Sequence, residues 1–317
     1  MLLIMQKTPF NREIWTGRID SEDGELGLRI HQVISDYDKF ETSSVQPKVL
    51  LGFCSEEGVE RNKGRIGAKN SPDLIRKSLA NLPLHFSETD FIFDAGNIHC
   101  DDKNLESARE EQINQVYKII RQNHFPIVIG GGHETALGDF LALAKSYKNI
   151  GIINLDAHFD LRTPNPQSTS GTPFYEMAKY CEENEMKFNY IPIGIQELGN
   201  TKALFQRAEN LGVNFIMADE VHFNLNKVLD DLKTIIQQFD ALYVSLDMDV
   251  FDAAYAPGVS ATTINGLTPF QVKYILKVLM NSNKVKIFDL VEYNSLFDVD
   301  NSTAKLSAQM IYEVLRH

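Results

Sequence analysis

Three short apolar runs in this 317-residue chain each end in a cluster of acidic residues or histidines. The runs are residues 126–129, 150–155 and 241–246, and the clusters that follow them are Gly130-Gly131-Gly132-His133-Glu134, Asp156-Ala157-His158-Phe159-Asp160 and Asp247-Met248-Asp249. In an extended strand successive side chains alternate faces, so Asp156, His158 and Asp160 are expected to share one face. One such strand end could be a polar cap, but three in one chain indicate a metal site.

The metal-binding side chains in these clusters are four carboxylates and two imidazoles, without a thiolate. They belong to His133, Asp156, His158, Asp160, Asp247 and Asp249. This set suits hard or borderline cations such as manganese and not structural zinc, which often uses cysteine. Four neighbouring carboxylates repel one another, and two divalent cations would cancel that charge. We therefore predict two divalent cations per chain, for which Mn²⁺ is suitable, roughly 3.5–4 Å apart with water or hydroxide between them, and hydrolysis as the chemistry.

Strand-like and helix-like segments alternate along most of the chain. The predicted strands are 48–53, 91–93, 126–130, 150–155, 190–195, 213–217, 241–246 and 285–291, and the predicted helices are 71–80, 105–123, 134–146, 201–211, 225–239, 268–281 and 303–315. This order predicts an α/β fold with a mostly parallel sheet of about eight strands and helices on both faces. Open sheets of this kind bind ligands beyond the carboxyl ends of their strands, as TIM barrels also do, so the clusters do not distinguish the two.

No linker rich in proline, glycine or serine divides the chain, and we predict a single domain over residues 1–317. The segment 1–46 is charged and poorly periodic and contains the only tryptophan, Trp15. We expect this segment to wrap around the outside of the domain or to help close the site.

The formal net charge of −12 argues against nucleic acid or an anionic membrane as the main partner and leaves a small molecule. No apolar stretch has the length of a transmembrane helix, and the N-terminus lacks the pattern of a signal peptide. Three cysteines at wide spacing are typical of reduced thiols, so we predict a cytoplasmic protein.

The clusters, in this order, resemble motifs of the arginase (ureohydrolase) superfamily. The matching segments are Gly130 to His133, Asp156 to Asp160, Ser245-Leu246-Asp247-Met248-Asp249, Ala256-Pro257-Gly258 and Leu290-Val291-Glu292. Two expected segments differ, at Ala253 and at Ile264-Asn265-Gly266, and both lie in a connecting loop. The resemblance implies a three-layer fold, a two-manganese centre, hydrolysis of guanidino or formimino groups and a homo-oligomer.

Within the superfamily the chain is most similar to the formimidoylglutamases, which split N-formimino-L-glutamate into formamide and glutamate. Local matches occur at residues 15–18, 57–68, 160–162, 170–174 and 194–201. Arginases have a proton-shuttling histidine four residues beyond the serine of the Ser170-Gly171 step, and Phe174 takes that place here.

The resemblance also implies roles for individual residues. Asp249, with His158 beside it, would move a proton from the attacking water toward the leaving amine, and Glu292 would hold the formimino nitrogen. Arg162, with Ser170, Thr172 and Asn200, would bind the substrate and its carboxylate. Two further arginines, Arg61 and Arg65, could bind substrate or serve a structural purpose.

Three other functions are compatible with these motifs. An agmatinase or a guanidino-acid hydrolase would share the fold, although cationic agmatine fits poorly beside Arg162. A deacetylase-like hydrolase would use one zinc ion and fewer carboxylates. A non-catalytic metal-binding scaffold would bind cations without turnover.

Overall fold

A computed structural model describes residues 7–42, 45–86 and 91–317, and one β-sheet lies at its centre. Within these ranges ten strands belong to the sheet. In chain order they are β1 Lys7–Thr8, β2 Ser35–Asp36, β3 Lys48–Cys54, β4 Ile92–His99, β5 Phe125–Ile129, β6 Ile150–Leu155, β7 Asn189–Ile195, β8 Ile216–Met217, β9 Ala241–Asp247 and β10 Val285–Val291. The order across the sheet is β1-β4-β3-β5-β10-β9-β6-β7-β8, and β2 also pairs with β4.

Every pair of neighbouring strands in the described sheet is parallel except β1 with β4. This confirms the predicted α/β class and the mostly parallel sheet. The predicted number of about eight strands omits β1 and β2, because two-residue strands are too short to show a pattern. Two predicted strands differ from the observed ones by more than one residue at an end: the segment 91–93 corresponds to the longer β4, which ends at His99, and 213–217 to the shorter β8.

Ten α-helices connect or flank these strands in the described part of the chain. They are α1 Ile30–Val33, α2 Glu57–Arg61, α3 Ser71–Ala80, α4 Leu105–Arg121, α5 Thr135–Ala144, α6 Pro173–Glu183, α7 Lys202–Asn210, α8 Ala218–Ile235, α9 Pro269–Met280 and α10 Ser302–Leu315. The sequence prediction missed α6, although a proline at its first turn and apolar residues at helical spacing were present. Helix α8 begins seven residues before the predicted start and has a break in its helical backbone at Asn224.

The sheet is covered on both faces, which explains why its strands are continuous apolar runs. In β6, Ile153 contributes to a core that includes residues of α3, α9 and α10. The preceding residue, Ile152, contributes to a second core that includes residues of α4, α5 and α6. The two cores and the sheet between them form the predicted three layers.

The N-terminal segment is attached to the outer edge of β4 through β1 and β2. Trp15 is buried and donates a hydrogen bond from Nε1 to Asp94 Oδ2 at 2.8 Å. Asp94 also pairs with the buried guanidinium of Arg76 at 2.8 Å. Residues 1–6 and 43–44 of the predicted wrapping segment 1–46 lie outside the described residues, and the division of the chain at residue 46 stays a prediction. None of the described helices has both the length and the apolarity needed to span a membrane.

Candidate metal centre

The predicted metal ligands and Glu292 lie at the carboxyl ends of four adjacent strands. β5, β10, β9 and β6 are neighbours in that order, although other strands and helices separate β6 from β9 in the sequence. Their ends lead into His133, Glu292, Asp247 and Asp156. Because parallel strands end at the same edge of a sheet, residues far apart in the chain converge at one place.

One group of predicted ligands surrounds His133. Its Nδ1 atom lies 3.3 Å from a carboxylate oxygen of Asp156 and 3.0 Å from oxygens of Asp160 and Asp247. The candidate ligand atoms of these four residues all lie within 4.8 Å of one another, a distance that one cation could bridge. Except for Asp160, which is partly buried, these residues are inaccessible to solvent or nearly so.

A second group contains Asp156, His158 and Asp249. His158 Nδ1 lies 3.5 Å from Asp156 Oδ1 and 3.1 Å from Asp249 Oδ2. Asp156 therefore faces the first group with Oδ2 and the second with Oδ1. A carboxylate shared in this way can bridge two cations, so the geometry fits a binuclear centre.

The side chains of each cluster converge because the backbone turns at the end of the strand. The alternation of side chains along an extended strand is not the cause. Asp156 Oδ1 accepts a hydrogen bond from the backbone N–H of His158 at 2.6 Å. Asp247 Oδ1 accepts one from the N–H of Asp249 at 2.7 Å, at the start of a short 3₁₀ turn. β6 ends at Leu155, so the expected extended geometry of residues 156–160 was wrong while the shared location of their side chains was right. Asp160 itself has a positive φ of 45°.

A buried hydrogen-bond network orients His133. Ser245 Oγ donates to Asp289 Oδ1 at 2.6 Å and lies 3.0 Å from His133 Nε2. Since the serine proton goes to the aspartate, Nε2–H of the imidazole donates to the serine oxygen, and Nδ1 is the nitrogen without a proton when the imidazole is neutral. Tyr243 donates its hydroxyl to the other oxygen of Asp289. This arrangement presents Nδ1 as a ligand.

Two buried atoms of the cluster have no hydrogen-bond partner among the residues that the structure describes. They are His133 Nδ1 and Asp249 Oδ1. Buried polar atoms normally have a partner, and bound cations would provide one for both. Oxygen donors outnumber nitrogen donors and no sulfur lies in either group, so the donor set fits hard or borderline divalent cations.

The protonation of the cluster reflects its crowded carboxylates. Burial raises the pKa of Asp247 well above its usual range, and the charges of Asp249 and Asp156 raise it further. The charge of Asp249 is also the main cause that raises the pKa of His158 well above its usual value. Without cations the cluster therefore retains protons, which divalent cations must displace on binding.

A cavity of about 180 Å³ borders the cluster. Its lining includes His158, Asp160, Asp247, Asp249 and Glu292, together with residues of nearby loops. Glu292 accepts a hydrogen bond from the N–H of His133 at 2.8 Å and has a positive φ of 65°. Burial raises the pKa of Glu292 to about 8, and the charge of Glu134 acts in the same direction. The cavity has room for a small molecule beside the predicted ligands.

Arg162 and Ser170 line the same cavity. Arg162 is exposed, and its guanidinium forms no hydrogen bond or ion pair with any residue in the described ranges. Its backbone N–H donates to Gly171 O at 2.9 Å, and the N–H of Ser170 donates to Gly58 O at 3.0 Å. The loop that carries both side chains is therefore held by its backbone, and both side chains are available to a ligand.

Thr172 and Asn200 do not support the substrate contacts predicted for them. Thr172 does not line the cavity, and its hydroxyl contacts Thr169 and donates to Glu176 at 2.5 Å. Asn200 lines the cavity, but its amide nitrogen donates to Ala157 O and Gln196 O, both at 2.9 Å. Its amide oxygen accepts from the N–H of Phe159 at 3.0 Å. Because both side chains form hydrogen bonds with nearby groups of the protein, the structure favours a role in which they position their loops.

Arg61 and Arg65, for which the sequence left two roles possible, both contact other residues of the protein. Arg61 pairs with Glu57 at 2.9 Å and with Glu106 at 2.7 Å. Arg65 donates from Nε to Ser260 O at 2.8 Å and lies over the ring of Phe297 at 3.9 Å. Neither lines the cavity, so these contacts support a structural purpose for both.

Phe174 is fully buried next to the cluster. Its ring lies 5.2 Å from the ring of His133 and is stacked on Tyr190 at 4.3 Å. It therefore packs behind a predicted ligand and does not line the cavity, where a shuttling histidine would be needed.

Sequence reasoning missed several residues that shape the site. Asn154, which donates to Asp156 Oδ2 at 2.9 Å, is the lone polar residue of β6, and Asp289 is a buried acid among the apolar residues of β10. A polar residue inside an apolar run was a signal that could have identified both. Asn62 lines the cavity, but an asparagine in a loop has no distinctive pattern. Its placement required the structure.

Comparison with known proteins agrees with this geometry. Residues 47–316 match the model of the arginase family. The chain is 38% identical to formimidoylglutamase of Aeromonas hydrophila, covering 97% of this chain and 98% of the relative, and 40% identical to that of Vibrio parahaemolyticus, covering 95% and 92%. The crystal structure of Trypanosoma cruzi formiminoglutamase with Mn²⁺ is similar with a TM-score of 0.80 at 23% identity, covering 91% of this chain and 97% of the other. The chain belongs to the arginase family.

Proposed function

We propose that the chain is a binuclear manganese hydrolase that cleaves N-formimino-L-glutamate to formamide and L-glutamate. The observation that carries this proposal is the similarity of 38–40% identity to formimidoylglutamases over nearly the whole chain. The site supports it, because all six predicted ligands belong to the two groups. A manganese pair, a cytoplasmic location and a homo-oligomer, which the family resemblance implies, belong to the same proposal.

Two divalent cations in this centre would polarise the formimino group and lower the pKa of water, so that a nucleophile is available at neutral pH. Asp249 belongs to the second ligand group and borders the cavity, and its carboxylate oxygen that does not ligate a cation can accept the proton released by water. His158 Nδ1 lies 3.1 Å from Asp249 Oδ2, so His158 would ligate the same cation as Asp249 and fix its position beside the cavity. Glu292 borders the cavity and can bind the formimino nitrogen through a charge-assisted hydrogen bond.

The charges around the cavity favour an acidic substrate over agmatine. Four of the lining residues are acids, and the divalent cations would neutralise them. Arg162 then remains as a cation with no partner among the described residues, which attracts a carboxylate and repels the ammonium group of agmatine. A centre of two ligand groups also differs from the single-zinc site of a deacetylase.

The test is a comparison of substrates on purified protein loaded with manganese. Release of formamide and glutamate from N-formimino-L-glutamate would be measured beside agmatine, arginine and a guanidino acid. We expect the formimino substrate to give the highest kcat/KM. Turnover of agmatine without turnover of formiminoglutamate would refute the proposal, and no turnover of any amidine by the fully loaded protein would favour a scaffold.

A further inference from the structure

Two polar side chains from separate loops meet at Gly171 on the border of the cavity. A β-carbon on Gly171 would lie 2.9 Å from Cδ of Arg162 and 3.1 Å from Nδ2 of Asn62. Both side chains line the cavity. Because Gly171 has no side chain, the aliphatic part of Arg162 and the amide of Asn62 can both lie next to it.

Asn62, like Arg162, is free to bind a ligand. It is exposed, and its amide forms no hydrogen bond with any residue in the described ranges. Asn200, the other asparagine that borders the cavity, differs in this respect because its amide is fully engaged with the backbone. Two side chains with unused N–H donors thus lie together in a cavity whose other charged residues are mainly acids.

The backbone that carries Asn62 is fixed to the site. The N–H of Asn62 donates to Gly58 O at 2.9 Å at the end of α2, and the same oxygen accepts from the N–H of Ser170. Gly58 donates its own N–H to the buried Glu134 at 3.0 Å, directly after the predicted ligand His133. Asn62 is therefore positioned by the same elements that position the candidate metal centre and the loop of Arg162. A donor on such a rigid support loses little conformational freedom when a ligand binds.

We propose that Asn62 is a specificity-determining residue that binds, together with Arg162, the side-chain carboxylate of the substrate. This inference rests on the proposed function and adds to it the residue that recognises the carboxylate remote from the reacting carbon. The guanidinium supplies charge and two parallel donors, and the asparagine amide supplies one further N–H donor without a charge. An amide oxygen on the substrate would gain much less from this pair than a carboxylate does.

The test measures binding of L-glutamate and L-glutamine to the manganese-loaded protein by calorimetry, beside turnover of N-formimino-L-glutamate. For Asn62→Ala we expect L-glutamate to bind about tenfold more weakly, since a hydrogen bond to a charged group is lost, while L-glutamine binding stays unchanged. The KM for formiminoglutamate rises by a similar factor, and kcat changes less. Asn62→Asp has the same shape but adds a negative charge, so it should weaken L-glutamate binding more than alanine does.

Asn281→Ala is the matched control, because Asn281 is an exposed asparagine that follows α9, toward the opposite edge of the sheet. It should leave both affinities unchanged. Equal loss of L-glutamate and L-glutamine binding in Asn62→Ala, or no loss at all, would overturn the inference. If the unsubstituted protein binds L-glutamate, Asn62→Ala weakens that binding and no formamide is released, the proposed function fails while the carboxylate-binding role of Asn62 stands. If it binds neither amino acid, the inference is overturned whatever the turnover.

Discussion

Asp156 belongs to both ligand groups, so its substitution should affect metal binding more than substitution of a residue that belongs to one group. Asp156 faces both ligand groups, whereas Asp160 belongs only to the first and Asp249 only to the second. We expect Asp160→Asn and Asp249→Asn each to retain one manganese ion per chain. Asp156→Asn removes a ligand from both groups and should lose both ions.

The size of the effect follows from mass action. An ion present at 100 times its Kd stabilises the folded state by about 2.7 kcal/mol. The unfolding entropy is about 2.1 cal/mol/K per residue, which for 317 residues means that each ion raises Tm by about 4 °C. The difference in Tm between manganese and chelator should therefore be about 8 °C for the unsubstituted protein, about 4 °C for the single-group variants and near zero for Asp156→Asn.

Differential scanning fluorimetry and elemental analysis of the same samples measure both quantities. Each variant is compared with itself in chelator, so any direct effect of the substitution on the apo protein cancels. The ligand assignment would be refuted if Asp156→Asn retained two ions, or if the unsubstituted protein melted at the same temperature with chelator and with manganese.

Four further outcomes are expected. Arg162→Ala should raise KM for formiminoglutamate roughly tenfold or more with a smaller effect on kcat, and lysine should restore it only in part; steady-state kinetics would contradict this with an unchanged KM. Ser245→Ala removes the group that orients His133 and should weaken manganese binding about 10–100-fold in calorimetry; an unaltered Kd would argue against that network. Because the raised pKa of Asp247 keeps a proton on the cluster, manganese affinity should fall with decreasing pH and binding should release protons, and calorimetry in buffers of different ionisation enthalpy tests this. Burial raises the pKa of every cysteine thiol, to about 12 for Cys54 and to about 11 for Cys100 and Cys181. Labelling with a thiol reagent at pH 8 should therefore be much slower in the folded than in the unfolded protein, and rapid labelling of the folded protein would contradict this.

The sequence was most informative where burial on both faces leaves a continuous apolar run. β6 and β10 match their predicted bounds, and α3 does as well, because its serine-proline start marks the first turn. The two-residue strands β1 and β2 could not be predicted, since their pairing with β4 depends on tertiary contacts and not on a local pattern.

At the site, residue type predicted which side chains converge as metal ligands better than it predicted which side chains are free to bind a substrate. The four aspartates and two histidines converge as expected, because strand ends share one edge of the sheet. The turns that orient them depend on hydrogen bonds between side chains and backbone, which spacing alone does not specify. Thr172 and Asn200 show the limit most clearly, because a hydroxyl or an amide can bind a substrate or a neighbouring backbone group, and only coordinates tell which.

The position of β10 in the sheet sets the order in which the two ligand groups can form during synthesis. The second group needs only β6 and β9, which pair directly, so its ligands are all available once residue 249 has emerged from the ribosome. The first group also needs His133 after β5, and β10 separates β5 from β9. That separation closes only when residues 285–291, near the end of the chain, insert between two strands made much earlier. A nascent chain can therefore assemble the second group before residues 285–291 are made, whereas the first group can form only after β10 has inserted between β5 and β9.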